Sequence, residues 1–165
     1  MKLSTKALIF DWGNTIMEDD SSEKGPMYQW KEVKLVEGAD ELLEYISKKY
    51  IVCLATNAGE SNAQDVKKAL KRVDVLQYFD HIYTSKDLGY NKPDPNFFIK
   101  MCKDLGLMAY DCTMIGDNYQ KDIVGAKQIN IRTVFFNRNT IQKGSFPEAD
   151  FQIGSLKELL ELLEL

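Results

Sequence analysis

The sequence predicts an α/β fold in which helices cover both faces of a central parallel β-sheet. Apolar runs too short for helices recur at residues 7–10, 51–55, 81–84, 113–116 and 132–136. Amphipathic helical patterns alternate with these runs, which is typical of parallel strands joined by helical crossovers. Right-handed crossovers place the carboxyl ends of such strands at one edge of the sheet, where ligands of open α/β sheets bind.

Length and composition fit one globular domain spanning residues 1–165. Hydrophobic residues make up 44% and charged residues 28%, and the formal net charge of -4 gives no long-range attraction to nucleic acid or anionic membrane. We therefore predict neither as a partner. The sequence lacks an apolar run of membrane-spanning length and a signal-peptide core at its start. The three cysteines form no CxxC pair, which favours reduced thiols and a cytoplasmic location.

The first apolar run predicts a buried strand that ends at a carboxylate, Asp11. Aspartate is a common turn residue, but at this edge of the sheet it is also a candidate catalytic group. The polar and aromatic stretch that follows, residues 16–37, predicts a short loop or hairpin over the same edge, in place of a cap domain.

Helical patterns occupy the intervals between the later strands. They comprise a helix starting at residues 38–40 and ending at 48–49, one capped by Ser61 or Asn62 and running to Arg72, one over 96–105, one carrying Asp122, and one over 156–165. Pro95 suits the first turn of the helix over residues 96–105. The cations at 48–49 suit the C-terminus of the first helix.

Four polar side chains are expected to meet at the carboxyl edge, namely Asp11, Thr56, Lys92 and Asp117. Each has a simpler explanation alone, as a strand end, a cap or a solvated cation. Two neighbouring carboxylates repel, and Mg²⁺ would neutralise them with oxygen ligands from the protein and a substrate phosphate. A hydroxyl and an ammonium would bind the remaining phosphoryl oxygens. Asp11 would then attack phosphorus and form an aspartyl-phosphate.

The order of these motifs resembles that of the haloacid dehalogenase (HAD) superfamily. Residues 10–15 match its first motif, Asp-x-Asp-x-Thr, except that Gly13 stands in place of the second aspartate. Residues 54–57 match the second motif, residues 92–95 the third, and Asp117 followed by Asp122 the fourth. The resemblance covers nearly the whole chain, and the combination and order of the motifs are specific.

The resemblance implies a three-layer Rossmannoid fold like the core of subfamily IA, with the first strand central and no large cap domain. It also implies Mg²⁺-dependent phosphoryl transfer. The implied roles are catalysis by Asp11 and Lys92, substrate binding by Thr56, Asn57 and Lys92, metal binding by Asp11, Asp117 and the main-chain carbonyl of Gly13, and positioning of Lys92 or a water by Asp122.

Gly13 is the departure that matters. In the family's phosphatases the second aspartate protonates the leaving oxygen and then activates water, and such catalysis is worth roughly 10²- to 10⁴-fold. We therefore expect a weak or atypical phosphohydrolase. Glu18, Asp19 and Asp20 are candidates for a replacement acid by proximity in sequence; a solvated acidic loop is the alternative.

Other functions stay open at this point. A non-catalytic or regulatory domain could retain the phosphate and metal pocket. Dehalogenation would leave Asp117 without a metal to bind, and C–P bond cleavage would need a helical cap for which residues 16–37 are too short. An open site would admit small or larger phosphorylated substrates, contacted by Tyr28 and Trp30. Lys121 is interpreted as an exposed helix lysine, without a role in the site.

Overall fold

The computed structural model describes residues 3–163. Its strands are β1 (Ala7–Phe10), β2 (Ile51–Thr56), β3 (His81–Thr84), β4 (Cys112–Gly116), β5 (Arg132–Phe136) and β6 (Phe151–Ile153). They form a six-stranded parallel sheet in the order β3-β2-β1-β4-β5-β6. The predicted α/β fold with a central parallel sheet is confirmed, and β1 lies between β2 and β4.

The helices flank this sheet. They are α1 (Ala39–Ile46), α2 (Ala63–Arg72), α3 (Ser85–Leu88), α4 (Pro95–Leu105), the π-helix Tyr119–Val124 running into α5 (Gly125–Lys127), and α6 (Leu156–Leu162), with 3₁₀ turns at Met27–Gln29, Leu76–Tyr78, Ala109–Asp111 and Arg138–Thr140. Helix α1 ends before the lysines at 48–49, and α3 was not predicted. The last residues of the predicted helix 156–165, at positions 164 and 165, lie outside the described residues. Within residues 3–163, no helix has the length and apolar character that crossing a membrane requires.

Alternating side chains of β1 separate two apolar layers. Leu8 and Phe10 belong to a core cluster that contains the apolar faces of α1, α2 and α6. Ala7 and Ile9 belong to a second cluster on the other face of the sheet, built mainly on α4. Because every residue of β1 is fully buried, its end fixes the position of Asp11 firmly.

Strand β6 is the one strand within residues 3–163 that the sequence pattern missed. It has only three residues, pairs only with β5 at the edge of the sheet, and exposes Gln152. Its position is fixed by polar contacts of the preceding Asp150, which accepts hydrogen bonds from the Thr133 amide at 2.9 Å and the Lys127 ammonium at 2.6 Å. An edge strand this short carries too little apolar periodicity to be recognised.

A closed loop, with no large cap domain in the described part of the chain, connects β1 to α1. Met17 pairs with Leu35 in a single antiparallel bridge, and the Glu18 amide donates to the Lys34 carbonyl at 2.8 Å. Residues 18–34, called the rim loop below, therefore leave and rejoin the fold at adjacent points. The rim loop contributes Met27 and Trp30 to the core, each 8% exposed.

Candidate active site

The carboxyl edge of the sheet opens into a cavity of about 390 Å³. Asp11 follows β1, Thr56 ends β2, Asp117 follows β4, and Lys92 lies in the loop between α3 and α4. All of them line this cavity, so the structure brings together the side chains that the sequence placed at one edge. In an open parallel sheet the carboxyl ends of the strands lie at one edge, and these side chains meet at that edge.

Lys92 is the buried cation at the centre of the site. Its ammonium donates to Asp11 Oδ1 at 2.8 Å, to the Ala55 carbonyl at 2.8 Å and to Asp122 Oδ1 at 2.7 Å. Burial would lower the pKa of the Lys92 ammonium, but the charges of Asp11 and Asp122 outweigh burial and raise it. Lys92 therefore stays charged, and its three donors are all occupied.

This arrangement favours a positioning role for Lys92 toward Asp11. A phosphoryl oxygen could bind the ammonium only by displacing one of its three partners. The predicted contact of Lys92 with substrate stays a prediction, whereas its contact with Asp11 is present without a ligand. The ammonium thus holds one oxygen of the Asp11 carboxylate, and the other oxygen lies 3.4 Å from the Thr15 hydroxyl.

Asp122 is fully buried below Lys92. Its Oδ1 binds the ammonium, and its Oδ2 accepts a hydrogen bond from the Asn118 amide at 3.1 Å. Gly116 leaves room for this carboxylate, because a Cβ on Gly116 would lie 2.2 Å from Asp122 Oδ2. Both oxygens of Asp122 are thus engaged within the protein, which supports a positioning role.

Asp117 lies across the cavity floor from Asp11. The Thr15 hydroxyl is 3.2 Å from Asp117 Oδ1 and 3.4 Å from Asp11 Oδ2, so it bridges the two carboxylates. Burial, followed by the charge of Asp11, raises the pKa of Asp117 to about 7. Asp117 has no ion pair with a lysine or arginine among residues 3–163, and its charge therefore lacks a neutralising partner.

The oxygens at this point fit a hard divalent cation. Asp11, Asp117 and Asp122 each offer a carboxylate oxygen within 4.8 Å of the others. The main-chain oxygen of Gly13, at the cavity wall, accepts no hydrogen bond from any described residue. Because Lys92 already engages Asp122, we take Asp11, Asp117 and the Gly13 carbonyl as the set that would hold Mg²⁺.

Thr56 and Asn57 differ in how much of each side chain is free. The Thr56 hydroxyl lines the cavity and makes no hydrogen bond within residues 3–163, so it is available to a ligand. The Asn57 amide instead spans the backbone of Lys92: its Nδ2 donates to the Lys92 carbonyl, and its Oδ1 accepts from the Lys92 amide, both at 2.8 Å. The predicted substrate contact of Asn57 stays a prediction, and the contact seen is one that positions Lys92.

The rim loop forms the wall of the cavity opposite the sheet. Met27 and Trp30 line it, and the Trp30 indole donates to the Gly25 carbonyl at 2.9 Å. The Arg72 guanidinium, at the end of α2, donates to three carbonyls of this loop, those of Tyr28, Trp30 and Lys31, at 2.6 to 3.2 Å. A single arginine therefore holds the wall against α2.

Sequence reasoning assigned no role to several residues that line the cavity. Lys121, interpreted as an exposed helix lysine, is exposed and also lines the cavity, where it offers a cation. Its position four residues after Asp117, on the first turn of the following helix, was the available signal. Trp12 is 5% exposed and packs in the core, and it also lines the cavity.

Comparison with known proteins places the chain in a family. The family model described as haloacid dehalogenase-like hydrolase matches residues 9–136. This chain is 32% identical to (S)-2-haloacid dehalogenase 4A of Burkholderia cepacia, over 98% of this chain and 70% of that protein. It is 33% identical to glyceraldehyde 3-phosphate phosphatase of Pyrococcus furiosus, over 56% of this chain. The chain spans only 40% of the length of that phosphatase.

A solved structure supports the fold independently. The crystal structure of a HAD phosphatase from Thermococcus onnurineus superposes with a TM-score of 0.79, covering 97% of this chain and 98% of that one. The sequence identity is 21%, so this likeness concerns the fold alone.

Proposed function

This chain belongs to the haloacid dehalogenase-like hydrolase family, and we propose that it is a phosphohydrolase that works through an aspartyl-phosphate on Asp11. The observation that carries the proposal is the set of groups around Asp11. The Lys92 ammonium holds its Oδ1 at 2.8 Å, and an oxygen of Asp117 lies within 4.8 Å. We also propose that the chain is a single domain, in which the rim loop stands in place of a cap.

In the proposed reaction, Asp11 is the nucleophile and the other residues of the site bind or position the phosphoryl group. The Lys92 ammonium holds Asp11 Oδ1, and Asp11 Oδ2 attacks phosphorus. The Thr56 hydroxyl donates a hydrogen bond to the phosphoryl group. The Lys121 ammonium partly neutralises the negative charge of that group. Mg²⁺, bound by Asp11, Asp117 and the Gly13 carbonyl, would supply neutralisation of phosphoryl charge. Thr15 keeps Asp11 and Asp117 in register at the cavity floor.

The substrate is proposed to be a phosphate monoester. The rim loop leaves the cavity open, so small phosphorylated metabolites and larger phosphorylated molecules both have access. Trp30 lines the cavity, so we assign it to contacts with the leaving portion of the substrate. Tyr28, expected to share this role, does not line the cavity, and its ring packs under the Lys68 ammonium. The phosphatase names of several relatives agree with this class of substrate.

Turnover of two substrates tests the proposal. Purified protein is assayed with 4-nitrophenyl phosphate and with an alkyl phosphate, each with Mg²⁺ and with a chelator. We expect Mg²⁺-dependent release of nitrophenolate, and none from Asp11→Asn. Absence of turnover, with phosphate and Mg²⁺ still raising the melting temperature, would instead identify a phospho-ligand-binding domain, which Gly13 would suit because it carries no acid.

Dehalogenation is the second candidate, because the Burkholderia cepacia relative is a dehalogenase that matches nearly the whole chain. In that chemistry the Asp11 carboxylate attacks carbon and displaces a halide. Asp117, with its uncompensated charge close to Asp11, has no role there. Halide release from a 2-haloacid in the presence of chelator would favour dehalogenation over phosphate hydrolysis.

A further inference from the structure

We propose that Asp19 supplies the acid and base catalysis that Gly13 cannot. The inference rests on the phosphohydrolase function proposed above and names the residue that moves the proton. Asp19 lies at the start of the rim loop and lines the same cavity as Asp11, Gly13 and Lys92. Sequence proximity made it one of three acidic candidates, and the structure distinguishes among them.

The carboxylate of Asp19 lies beside the place where a side chain at position 13 would begin. A Cβ on Gly13 would be 3.4 Å from Asp19 Oδ2, 3.5 Å from its Cβ and 3.7 Å from its Cγ. The carboxyl group of an aspartate at position 13 would start one bond beyond that Cβ. Asp19 thus brings a carboxylate from the rim loop into the neighbourhood that the second aspartate of an Asp-x-Asp motif would occupy.

The other two candidate acids, Glu18 and Asp20, are engaged elsewhere. Both oxygens of Glu18 bind the Arg138 guanidinium, at 2.6 and 2.8 Å. Asp20 Oδ1 accepts from the Ser22 amide at 2.8 Å and from the Ser22 hydroxyl at 2.6 Å. Within residues 3–163, the Asp19 carboxylate accepts no hydrogen bond and is free to exchange a proton with a ligand in the cavity.

The backbone of Asp19 is held while its side chain stays free. Its amide donates to Asn14 Oδ1 at 3.0 Å, which ties it to the turn that follows Asp11. On its N-terminal side, the pair between Glu18 and Arg138 anchors the loop to the turn after β5. The backbone from which the Asp19 carboxylate extends is therefore held in place on one side of the cavity.

The proposed proton transfers balance in two steps. Asp11 attacks phosphorus, the bond from phosphorus to the leaving oxygen breaks with its electron pair, and protonated Asp19 gives its proton to that oxygen, releasing an alcohol. The Asp19 carboxylate then takes a proton from a water that attacks the aspartyl-phosphate. The bond between phosphorus and Asp11 breaks, its electron pair returns to the Asp11 carboxylate, and phosphate leaves.

Leaving-group dependence tests this role, with Asp19→Asn as the variant and Asp20→Asn as its matched control. For an alkyl phosphate we expect Asp19→Asn to lower kcat by roughly 10²- to 10⁴-fold. The phosphorylation step from 4-nitrophenyl phosphate should change far less, because nitrophenolate leaves without a proton. Since the second step then lacks a base, phosphorylated protein should accumulate and appear as a phosphoryl adduct in the intact mass. Asp20→Asn should behave as the wild type.

A second variant returns an aspartate to position 13 of the first motif. Gly13 lies outside the left-handed region and accepts a side chain, so Gly13→Asp in the Asp19→Asn background should recover alkyl phosphate turnover. The proposal is overturned if Asp19→Asn matches the wild type on the alkyl phosphate, if it slows phosphorylation from both substrates equally, or if the folded double variant recovers nothing. A wild type that neither releases nitrophenolate nor gains a phosphoryl adduct would instead overturn the phosphohydrolase function.

Discussion

The ammonium of Lys92 lies 2.8 Å from Oδ1 of Asp11 and shares its remaining protons between Ala55 and Asp122. One buried cation is therefore the partner of the proposed nucleophile and of a carboxylate 1% exposed beneath it. Fold stability and the proposed catalysis depend on the same three contacts, and substitutions can separate these two effects.

Lys92→Met should abolish turnover and lower the free energy of unfolding by about 3–5 kcal/mol, because it leaves Asp122 as a buried carboxylate without a cation. Chemical denaturation and the phosphatase assay measure the two effects. The double variant Lys92→Met with Asp122→Asn should regain part of the stability and none of the activity. A double variant as unstable as the single one would show that the charge of Asp122 is not the cause.

Gly116→Ala should destabilise the protein by about 1–3 kcal/mol, the usual cost of overpacking a buried site. Its Cβ would lie 2.2 Å from Asp122 Oδ2, so the carboxylate must move and loosen its contact with Lys92. Activity should fall as well. Gly13→Ala is the control for stability, since its Cβ meets nothing closer than 3.4 Å; equal destabilisation of both variants would contradict this explanation.

Mg²⁺ should raise the melting temperature of the wild type in a concentration-dependent way, since a ligand that binds only the folded state stabilises it. Asp117→Asn should remove most of this increase, because it takes one carboxylate from the proposed set. Asp40→Asn, an exposed substitution on α1, is the matched control. Differential scanning fluorimetry with and without chelator makes the comparison, and a full Mg²⁺ response in Asp117→Asn would exclude that ligand.

Without metal, the free energy of unfolding should decrease as pH rises from 3.8 to about 7. Burial and the charge of Asp11 raise the pKa of Asp117, so over this window the folded state binds a proton that the unfolded chain has released. Asp117→Asn should flatten this slope. Urea denaturation at several pH values in chelator measures it, and an unchanged slope in the variant would assign the titration to other groups.

Arg138→Gln should change stability by about 1 kcal/mol or less, because its pair with Glu18 is partly exposed. Arg138→Gln should lower kcat for an alkyl phosphate more than it lowers the rate of phosphorylation by an aryl phosphate. The reason is that the backbone next to Asp19 is no longer held by the pair between Glu18 and Arg138. Lys34→Ala, which breaks an exposed pair with Glu32, is the control. Equal loss on both substrates would indicate a general effect on the cavity.

Much of the sheet was predictable, because buried parallel strands are continuous apolar runs between amphipathic helices. Residues 7–10, 81–84 and 132–136 were predicted with the bounds that the structure has. Strand β6 was not, since three residues, of which only Ile153 is buried, carry little pattern. The one-turn helix α3 does carry local signals, because Thr84 caps it by accepting from the Asp87 amide and Gly89 ends it in the left-handed region, but it has too few residues for an apolar periodicity. The π-helical start of the segment before α5 was not predicted either.

In the site, the residues that converge were predictable and their contacts were not. Topology brings Asp11, Thr56 and Asp117 to one edge, and this follows from the strand order alone. Two contacts depend on side-chain conformation and could not be predicted. All three donors of the Lys92 ammonium are occupied, and the Asn57 amide is hydrogen-bonded to the Lys92 backbone. The direction of Asp19 likewise depends on the course of the rim loop, which only the folded chain reveals.

The bridge between Met17 and Leu35 has a consequence for how such a protein can diversify. The two ends of the rim loop are neighbours in space. A longer insertion in the loop would therefore start and end at adjacent positions and leave the registers of the sheet strands unchanged. A relative's lid inserted into the rim loop after Asp19 should fold on top of an unaltered cavity floor. Selectivity can thus be rebuilt by recombination at a single junction.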